Sequence, residues 1–255
     1  MPKFIQMAKE NHTLTITINR PEVRNALNAE ACFELSDAWT AYQADPDLWV
    51  AIVTAAGDTA FCGGHDLGED VLTPLPKTGW AGLVDRTDIT KPIIAAVNGM
   101  AYGGGFELVL AADIVIADER AKFAMSEPRV GFFAGGGGAE RLALRMPSAI
   151  AMGLLLTGKP ILAAEAHRWG LVNEVAPAGQ TMAVARKWAG DIMECAPFAL
   201  QCTKEIAMAA LEWRDMRRAV AERQRDLMKA LVKLDDTREG TEAFYAKRKP
   251  VWTNR

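Results

Sequence analysis

The chain has 255 residues, half of them hydrophobic and a quarter charged, which is enough to bury one large core with room for an appendage. The net charge of −3 argues against a nucleic-acid binder, and the lack of a CxxC pair or of clustered histidines argues against a metal site. No apolar run approaches the ~18 residues of a membrane span and the N-terminus has no signal core, so a cytoplasmic protein with reduced thiols and no membrane contact is expected.

The first part of the chain is predicted to alternate strands with helices and loops. Thr13–Ile18 alternates like a half-buried strand, and residues 28–42 have the apolar spacing of an amphipathic helix. A second strand is predicted at 50–54, where the residues are apolar and β-branched. Residues 69–90 are poorly periodic, so a mobile loop with one short helix around residues 80–86 is expected there.

The rest of the chain changes character near residue 181, because strand signals vanish beyond it and only helical periodicity is left. This order predicts an α/β core over residues 1–195 and a helical C-terminal region over residues 196–255. The strands predicted here are 93–97, 114–117, 122–124 and 171–175, and the helices are 106–112, 140–145, 148–156, 163–169, 181–194, 197–211 and 219–234.

A glycine triplet at 103–105 joins the apolar strand 93–97 to the predicted helix 106–112. Glycines at that point let a ligand approach backbone N–H groups that have no partner within the helix. The helix dipole also favours negative charge at that end. The triplet therefore predicts an anion-stabilising amide, with close packing of the helix on the strand as the alternative explanation.

Two glutamates near this triplet are candidates for acid/base chemistry. Glu107 stands in an apolar segment, where a carboxylate is rare without a partner or a function, and it follows Gly104 by about one helical turn. Glu127 precedes a proline and is expected at a strand end or turn. If both flank one cleft, burial raises the pKa of at least one of them. The alternatives are an ion pair of Glu107 with Arg120 or Arg129, and a solvated turn carboxylate for Glu127.

Several catalytic motifs are absent from the sequence. Neither glycine run is followed by the Lys-Ser/Thr of a P-loop or stands in a dinucleotide-binding frame. The chain has three serines and no Gly-x-Ser-x-Gly, so a serine hydrolase is not expected. The imidazole of His65 is expected to be an ordinary loop side chain, whereas its backbone N–H is exposed by the preceding glycine turn.

Three separated motifs follow one another in order: AFCGGHDL at 60–67, KPIIAAVNGMAYGGGFEL at 91–108 and SEPRVGF at 126–132. Together they resemble the enoyl-CoA hydratase/isomerase (crotonase) superfamily, and weaker matches extend over essentially the whole chain. The resemblance implies an α/β fold in which a crotonase-like spiral of ββα repeats precedes a helical C-terminal trimerisation region. It also implies a homotrimer or dimer of trimers, an acyl-CoA thioester substrate, and no cofactor beyond the coenzyme A of the substrate.

The resemblance also implies roles for individual residues. The backbone N–H groups of His65 and Gly104 match the oxyanion hole for the thioester carbonyl. Glu127 matches the residue that gives a proton to Cα, and Glu107 matches the residue that activates water for attack at Cβ. The positions that match CoA-binding residues are Arg24, Ala26, Gly63, Asp66, Leu67, Phe244 and Lys247, the last two commonly supplied by a neighbouring subunit.

The sequence departs from the family pattern at several points. Ala134 replaces a usual proline, Gly63 and Gly68 replace a commoner alanine and lysine, and His65 is bulkier than the usual alanine. Residues 132–138 are expected to shape the acyl pocket. The specificity for the acyl group therefore cannot be inferred from short-chain relatives. The leading hypothesis is an enoyl-CoA hydratase. The alternatives are an enoyl-CoA isomerase, a carnitinyl-CoA-type dehydratase, an aryl-propenoyl-CoA hydratase and a non-catalytic acyl-CoA binding protein.

Overall fold

The computed structural model describes residues 2–70, 73–213, 230 and 233–253. Its strands form a six-stranded sheet and a smaller four-stranded sheet. The larger sheet has the order β1-β2-β3-β5-β7-β10, in which β1 is antiparallel to β2 and the other pairs are parallel. These strands are Ile5–Glu10, Thr13–Ile18, Val50–Ala55, Ile93–Val97, Ile114–Asp118 and Glu174–Ala176.

The smaller sheet has the order β4-β6-β8-β9, and three of its strands follow directly on strands of the larger sheet. β3, β5 and β7 each lie in the larger sheet, and the next strand of the chain crosses into the smaller one. β5, β6 and the helix that follows make one complete ββα unit, so the predicted α/β fold built from ββα repeats is confirmed. The strands of the smaller sheet are Ala60–Cys62, Met100–Tyr102, Lys122–Ala124 and Ile161–Leu162.

The helices flank these sheets; α1 to α7 agree with predicted helices to within a few residues, and α8 was not predicted. The first, α1, begins where the side chain of Asn28 accepts a hydrogen bond from the Ala31 N–H at 3.0 Å, as expected of an N-cap. The helices α1 to α8 are Ala29–Ala44, Gly104–Ala111, Gly138–Arg145, Ser148–Thr157, Ala163–Arg168, Thr181–Met193, Pro197–Trp213 and Asp235–Ala246.

The central strands β3, β5 and β7 of the larger sheet are buried on both faces, which explains their continuous apolar sequences. Alternate residues of β3 point to opposite sides, so Ala51 and Val53 join a core with α1 and α2. Val50 and Ile52 instead join a second core beneath α6. The two faces therefore carry different helices, and the one that carries α2 is the face that matters for the candidate chemistry.

Several details differ from the sequence-based predictions. The predicted strand 171–175 begins only at Glu174. Leu171 and Val172 are buried, which explains the apolar pattern, but they precede the strand. The short helix expected around 80–86 is a 3-10 turn, Trp80–Gly82. The predicted helix 219–234 lies almost wholly outside the described residues. No helix in the described part of the chain is long and apolar enough to cross a membrane. The boundary at residue 195 and the trimer stay predictions.

Candidate active site

The first turn of α2 is closely packed on the chain around it, and this packing requires glycine. Gly103 has a φ of 52°, a left-handed conformation, and α2 begins at the next residue. A Cβ at Gly105 would overlap the carbonyl of Cys62, and a Cβ at Gly104 would lie 2.5 Å from the indole ring of Trp80. Glycine thus allows the helix N-terminus to approach both neighbours. The close-packing explanation of the triplet is therefore correct, and it does not conflict with a role for the Gly104 N–H.

The loop at 63–65 lies directly against this helix N-terminus. Gly64 has a φ of 100°, and a Cβ there would lie 3.3 Å from the backbone N of Gly104. The loop is held from the other side, because the Leu27 N–H donates to the Gly64 carbonyl at 2.8 Å and the Asp66 N–H donates to the Leu27 carbonyl at 2.9 Å. The two N–H groups predicted to form an oxyanion hole therefore belong to adjoining segments.

Within the described chain, both of these N–H groups are left without an acceptor. Among the described residues, no backbone or side-chain acceptor takes a hydrogen bond from the N–H of His65 or of Gly104. Unpaired N–H groups at a helix start are ready to bind an anion or a polarised carbonyl oxygen. The imidazole Nε2 of His65 is buried and has no partner in the described chain, so the side chain adds no second anchor to the loop.

Glu107 lies in α2 with only 4 % of its surface exposed. Its Oε1 accepts hydrogen bonds from the backbone N–H of Gly136 at 2.8 Å and of Gly138 at 3.0 Å. Burial raises the pKa of this carboxyl from 4.5 to about 7, the two N–H donors oppose that rise, and the charge of Glu127 adds to it. Glu107 is therefore a fixed carboxyl that changes protonation near neutral pH.

Glu127 begins the 3-10 turn Glu127–Val130 and is half-buried. Its carboxylate lies beside the residue before α2, since a Cβ on Gly103 would be 3.3 Å from Oε1 of Glu127. The other oxygen, Oε2, is buried and has no hydrogen-bond partner in the described part of the chain. Burial also raises the pKa of this carboxyl above 4.5. The two glutamates thus flank the N-terminal turn of α2, as the sequence predicted.

The ion pair considered for Glu107 is wrong. Arg120 instead pairs with Asp118 at 2.9 Å, and Arg129 donates to the Thr157 carbonyl at 3.0 Å. The cation that does act on Glu107 is Arg141, whose charge lowers the pKa of the carboxyl without contacting it. The solvated-turn explanation of Glu127 is also wrong, because one carboxylate oxygen is fully buried.

Five of the predicted CoA-binding positions lie together beside the loop that carries His65. The Gly63 N–H donates to the Arg24 carbonyl at 2.9 Å. The carboxylate of Asp66 pairs with Arg20 at 2.9 Å, and the same guanidinium donates to the Ala26 carbonyl at 2.5 Å. A hydrogen bond from the Gly68 N–H, together with the Arg20 pairing, holds the pKa of Asp66 below its usual range. Asp66 therefore shapes the loop, and the neighbouring Leu67 is 71 % exposed.

The two C-terminal candidates lie on and just after α8. The side chain of Phe244 is outside the described set, and Lys247 is exposed just after α8. The segment that follows is held at Glu194, which accepts from Trp252 Nε1 through its carbonyl at 2.8 Å. Trp252 packs into the core beneath α6, on the sheet face opposite α2. A contribution of Phe244 and Lys247 from a neighbouring subunit stays a prediction.

Sequence reasoning missed three contributors to this site. The glycine run was expected to shape a pocket, but the N–H groups of Gly136 and Gly138 hold Glu107 directly. Arg141 and Trp80 were not considered, although both contact the segments that carry the candidate residues. A tryptophan between glycines in an aperiodic loop was the one available signal for Trp80.

Comparisons with known proteins agree with this geometry. The family described as "Enoyl-CoA hydratase/isomerase" matches residues 8–255. The carnitinyl-CoA dehydratase of Salmonella typhi is 37 % identical, with all of both chains covered.

Two solved structures extend the comparison. The enoyl-CoA hydratase of Mycobacterium tuberculosis is 37 % identical, with a TM-score of 0.93 and all of both chains covered. The carnitinyl-CoA hydratase of Mycobacterium avium is 40 % identical, with a TM-score of 0.78 and 99 % of both chains covered. The family match, these relatives and the ββα architecture agree, and the chain belongs to the enoyl-CoA hydratase/isomerase (crotonase) superfamily.

Proposed function

We propose that this protein is a hydro-lyase that adds water reversibly across the double bond of a trans-2-enoyl-CoA thioester. The observation that carries the proposal is the placement of the buried Glu107 carboxyl and of Glu127, which has one buried carboxylate oxygen, near two N–H groups that are unpaired in the described chain. An acyl-CoA substrate follows from family membership. No metal or redox cofactor is needed for this chemistry.

The N–H groups of His65 and Gly104 would bind the thioester carbonyl oxygen. Water addition at Cβ moves electrons onto that oxygen, so the transition state is enolate-like and donors fixed in advance stabilise it. Loss of one such donor costs about 2.7–4 kcal/mol in another enzyme. The α2 dipole acts in the same direction, because its N-terminal turn carries Gly104.

The two carboxyls would divide the proton transfers. Glu107 takes a proton from water as its oxygen bonds to Cβ, and Glu127 gives its proton to Cα as the enolate collapses. The two glutamates together hold one proton before and after the reaction. It is on Glu127 before the reaction and on Glu107 after it. Exchange with water returns that proton to Glu127. The buried, unpartnered Oε2 of Glu127 and the raised pKa of Glu107 suit a pair that shares one proton.

A second candidate is the loss of water from carnitinyl-CoA. The observation in its favour is that the curated relatives at 37 % identity carry the name carnitinyl-CoA dehydratase and are covered from end to end. The two candidates share the oxyanion hole and both glutamates and differ in the group attached at Cβ. Phe132 and Phe133 are 50 % and 81 % exposed near Glu127, so they are candidates for the contacts that choose between acyl groups.

The test compares crotonyl-CoA, crotonobetainyl-CoA and a 3-enoyl-CoA, with products identified by mass. A gain of 18 mass units with loss of the conjugated-thioester absorbance supports a hydratase, and the faster substrate chooses between the two candidates. Conversion of the 3-enoyl-CoA to its 2-isomer without water uptake would make the protein an isomerase. Binding of all three without turnover would contradict both candidates and leave the aryl-propenoyl-CoA hydratase, another reaction of this superfamily or a non-catalytic acyl-CoA binder.

Glu127→Gln is the decisive variant, because it removes the proton for Cα while keeping the size of the side chain. We expect kcat to fall by about 10³-fold and the dissociation constant of a saturated acyl-CoA to change by less than about threefold. Glu165→Gln, at an exposed position on α5, is the matched control and should keep full activity. Activity of Glu127→Gln within about threefold of the wild type would contradict the proposal.

A further inference from the structure

Trp80 stands directly behind the predicted oxyanion hole. Its indole Nε1 donates to the Gly104 carbonyl at 2.8 Å, and its ring fills the space that a Cβ on that residue would need. The ring centroid also lies 5.5 Å from that of His65. Trp80 thus contacts both segments that carry the unpaired N–H groups. It is itself shielded from solvent, with 8 % of its surface exposed.

The turn that carries Trp80 is held in a conformation that L-residues rarely adopt. Gly79 and Gly82 have φ values of 78° and 64°, and between them Ala81 has a φ of 52°. A left-handed alanine costs roughly 1–2 kcal/mol, so its surroundings must impose this conformation. Trp39 of α1 donates from Nε1 to the Ala81 carbonyl at 3.2 Å, and Gly82 packs on the α1 backbone. The turn is thus clamped to α1.

The same segment is tied to the other half of the candidate site. Arg141 of α3 donates to the Val84 carbonyl at 2.5 Å and to the Gly136 carbonyl at 3.2 Å. The Gly136 N–H in turn donates to Glu107 at 2.8 Å. Residues 80–84 therefore connect the N-terminal turn of α2 with the loop that holds Glu107, through three short polar contacts.

We infer that Trp80 is a positioning residue that sets the aim of the Gly104 and His65 N–H groups, an inference that rests on the proposed function. The bond from Trp80 fixes Gly104 at its carbonyl, and the ring limits how far the His65 loop can move toward α2. Donors stabilise an oxyanion only when they are aimed at it before the charge develops. Loss of this support loosens the donors without removing them.

The indole N–H and the ring volume have separable effects. Trp80→Phe removes the bond to the Gly104 carbonyl together with part of the ring volume, whereas β-(3-benzothienyl)alanine at this position removes only the N–H. The matched control is Trp49→Phe, because Trp49 is also buried and also donates from Nε1 to a carbonyl, that of Pro46, at 3.2 Å. Trp49 belongs to the core beneath α6, on the far face of the sheet. A merely structural effect of losing an indole N–H would be similar in the two variants.

The probe is 4-(dimethylamino)cinnamoyl-CoA, whose long conjugated thioester absorbs further to the red when its carbonyl oxygen accepts strong hydrogen bonds. The absorption shift on binding reports how well the donors are aimed at the carbonyl oxygen in the ground state. The kcat for crotonyl-CoA reports how well they are aimed at it in the transition state. For Trp80→Phe we expect the red shift to fall by at least half, kcat to drop about 10- to 100-fold, and KM to stay within about threefold. Trp49→Phe should keep both signals.

The outcomes separate this inference from the proposed function. A wild-type protein that binds the probe with no red shift would refute the oxyanion hole, and the role of Trp80 with it. A full red shift and full kcat in Trp80→Phe would overturn the inference and leave the proposed function intact. If Trp80→Phe does not fold, β-(3-benzothienyl)alanine at position 80 replaces only the N–H by sulfur. The same signals then decide, with thermal unfolding as the check on folding.

Discussion

The candidate site consists of two halves built in different ways. The donor half, at Gly104 and His65, uses backbone N–H groups, and its geometry depends on glycines packed against Trp80 and Cys62. The carboxyl half uses side chains, and Glu107 is held by two N–H groups from a loop some thirty residues further along the chain. Polar contacts through Arg141 connect the two.

This difference predicts different sensitivities. The donors of the donor half are backbone N–H groups, which do not ionise, so this half should respond mainly to changes of backbone spacing. The carboxyl half contains two acids whose pKa values are raised by burial, so it should respond strongly to pH and to removal of charge. Variants that affect one half alone can therefore test whether the division is real.

The largest effect on the donor half is expected from Gly104→Ala. The added Cβ would lie 2.5 Å from the Trp80 ring, so either the first turn of α2 or the Trp80 ring that supports it must move. We expect kcat for crotonyl-CoA hydration to fall by about 10²–10³-fold, comparable to the loss of an oxyanion donor. Gly153→Ala is the control, since nothing lies within 4 Å of a Cβ there, and it should keep full activity. Similar activities in both variants would show that Gly104 has no special role.

The next effect concerns stability and the carboxyl half. The folded pKa of Glu107 is about 7 and the unfolded value about 4.5, so the folded state binds more protons between these pH values and loses stability as pH rises through that window. Glu107→Gln removes this loss while its amide oxygen can still accept from Gly136 and Gly138. We expect the variant to be more stable than the wild type by up to about 3 kcal/mol at pH 8.

The same comparison at pH 4 should show almost no difference, because the wild-type carboxyl is then neutral in both states. Urea unfolding followed by circular dichroism measures the free energy of unfolding at each pH. Glu165→Gln serves as control, since its side chain is exposed. An equal stability change at pH 4 and pH 8 would mean that the ionisation of Glu107 is not responsible.

Sequence alone predicted most of the fold that surrounds the donor half. The strands Thr13–Ile18 and Ile93–Val97 were found because their patterns are local: alternation in one, a continuous buried run in the other. β1 was missed because five of its six residues are exposed, so it has no apolar pattern to detect. Its pairing with β2 is what makes it a strand.

The carboxyl half could be predicted only in part. Glu107 and Glu127 were identified because a carboxylate among apolar residues costs free energy unless it has a partner or a function. Their partners could not be read from the sequence, because Gly136 meets Glu107 only after the chain folds back over α2. The ion pair with Arg120 or Arg129 seemed chemically sensible, but both arginines find acceptors elsewhere.

A smaller effect is expected from Gly136→Ala, which changes the carboxyl half without changing a charge. A Cβ at this position would lie 2.5 Å from Oε2 of Glu107, so the carboxyl must shift by several tenths of an ångström. We expect kcat to fall about 10- to 100-fold, because proton transfer depends on the position of this oxygen. In the neighbouring Gly135→Ala, the Cβ first meets Phe133 at 3.4 Å, an ordinary contact. Equal activity of both alanine variants would argue against a role for the Gly136 contact.

The smallest and most graded effect is the pH dependence of kcat/KM. If the pair of glutamates must hold one proton, kcat/KM falls about tenfold per pH unit above about 7, where the last proton leaves. It falls again in acid, below the raised pKa of Glu127, where a second proton binds. Gly104→Ala should show the same profile at a lower level, because the donors at Gly104 and His65 are backbone N–H groups. If the alkaline fall of kcat/KM occurs at a different pH in Gly104→Ala, the two halves are electrostatically coupled and do not act independently.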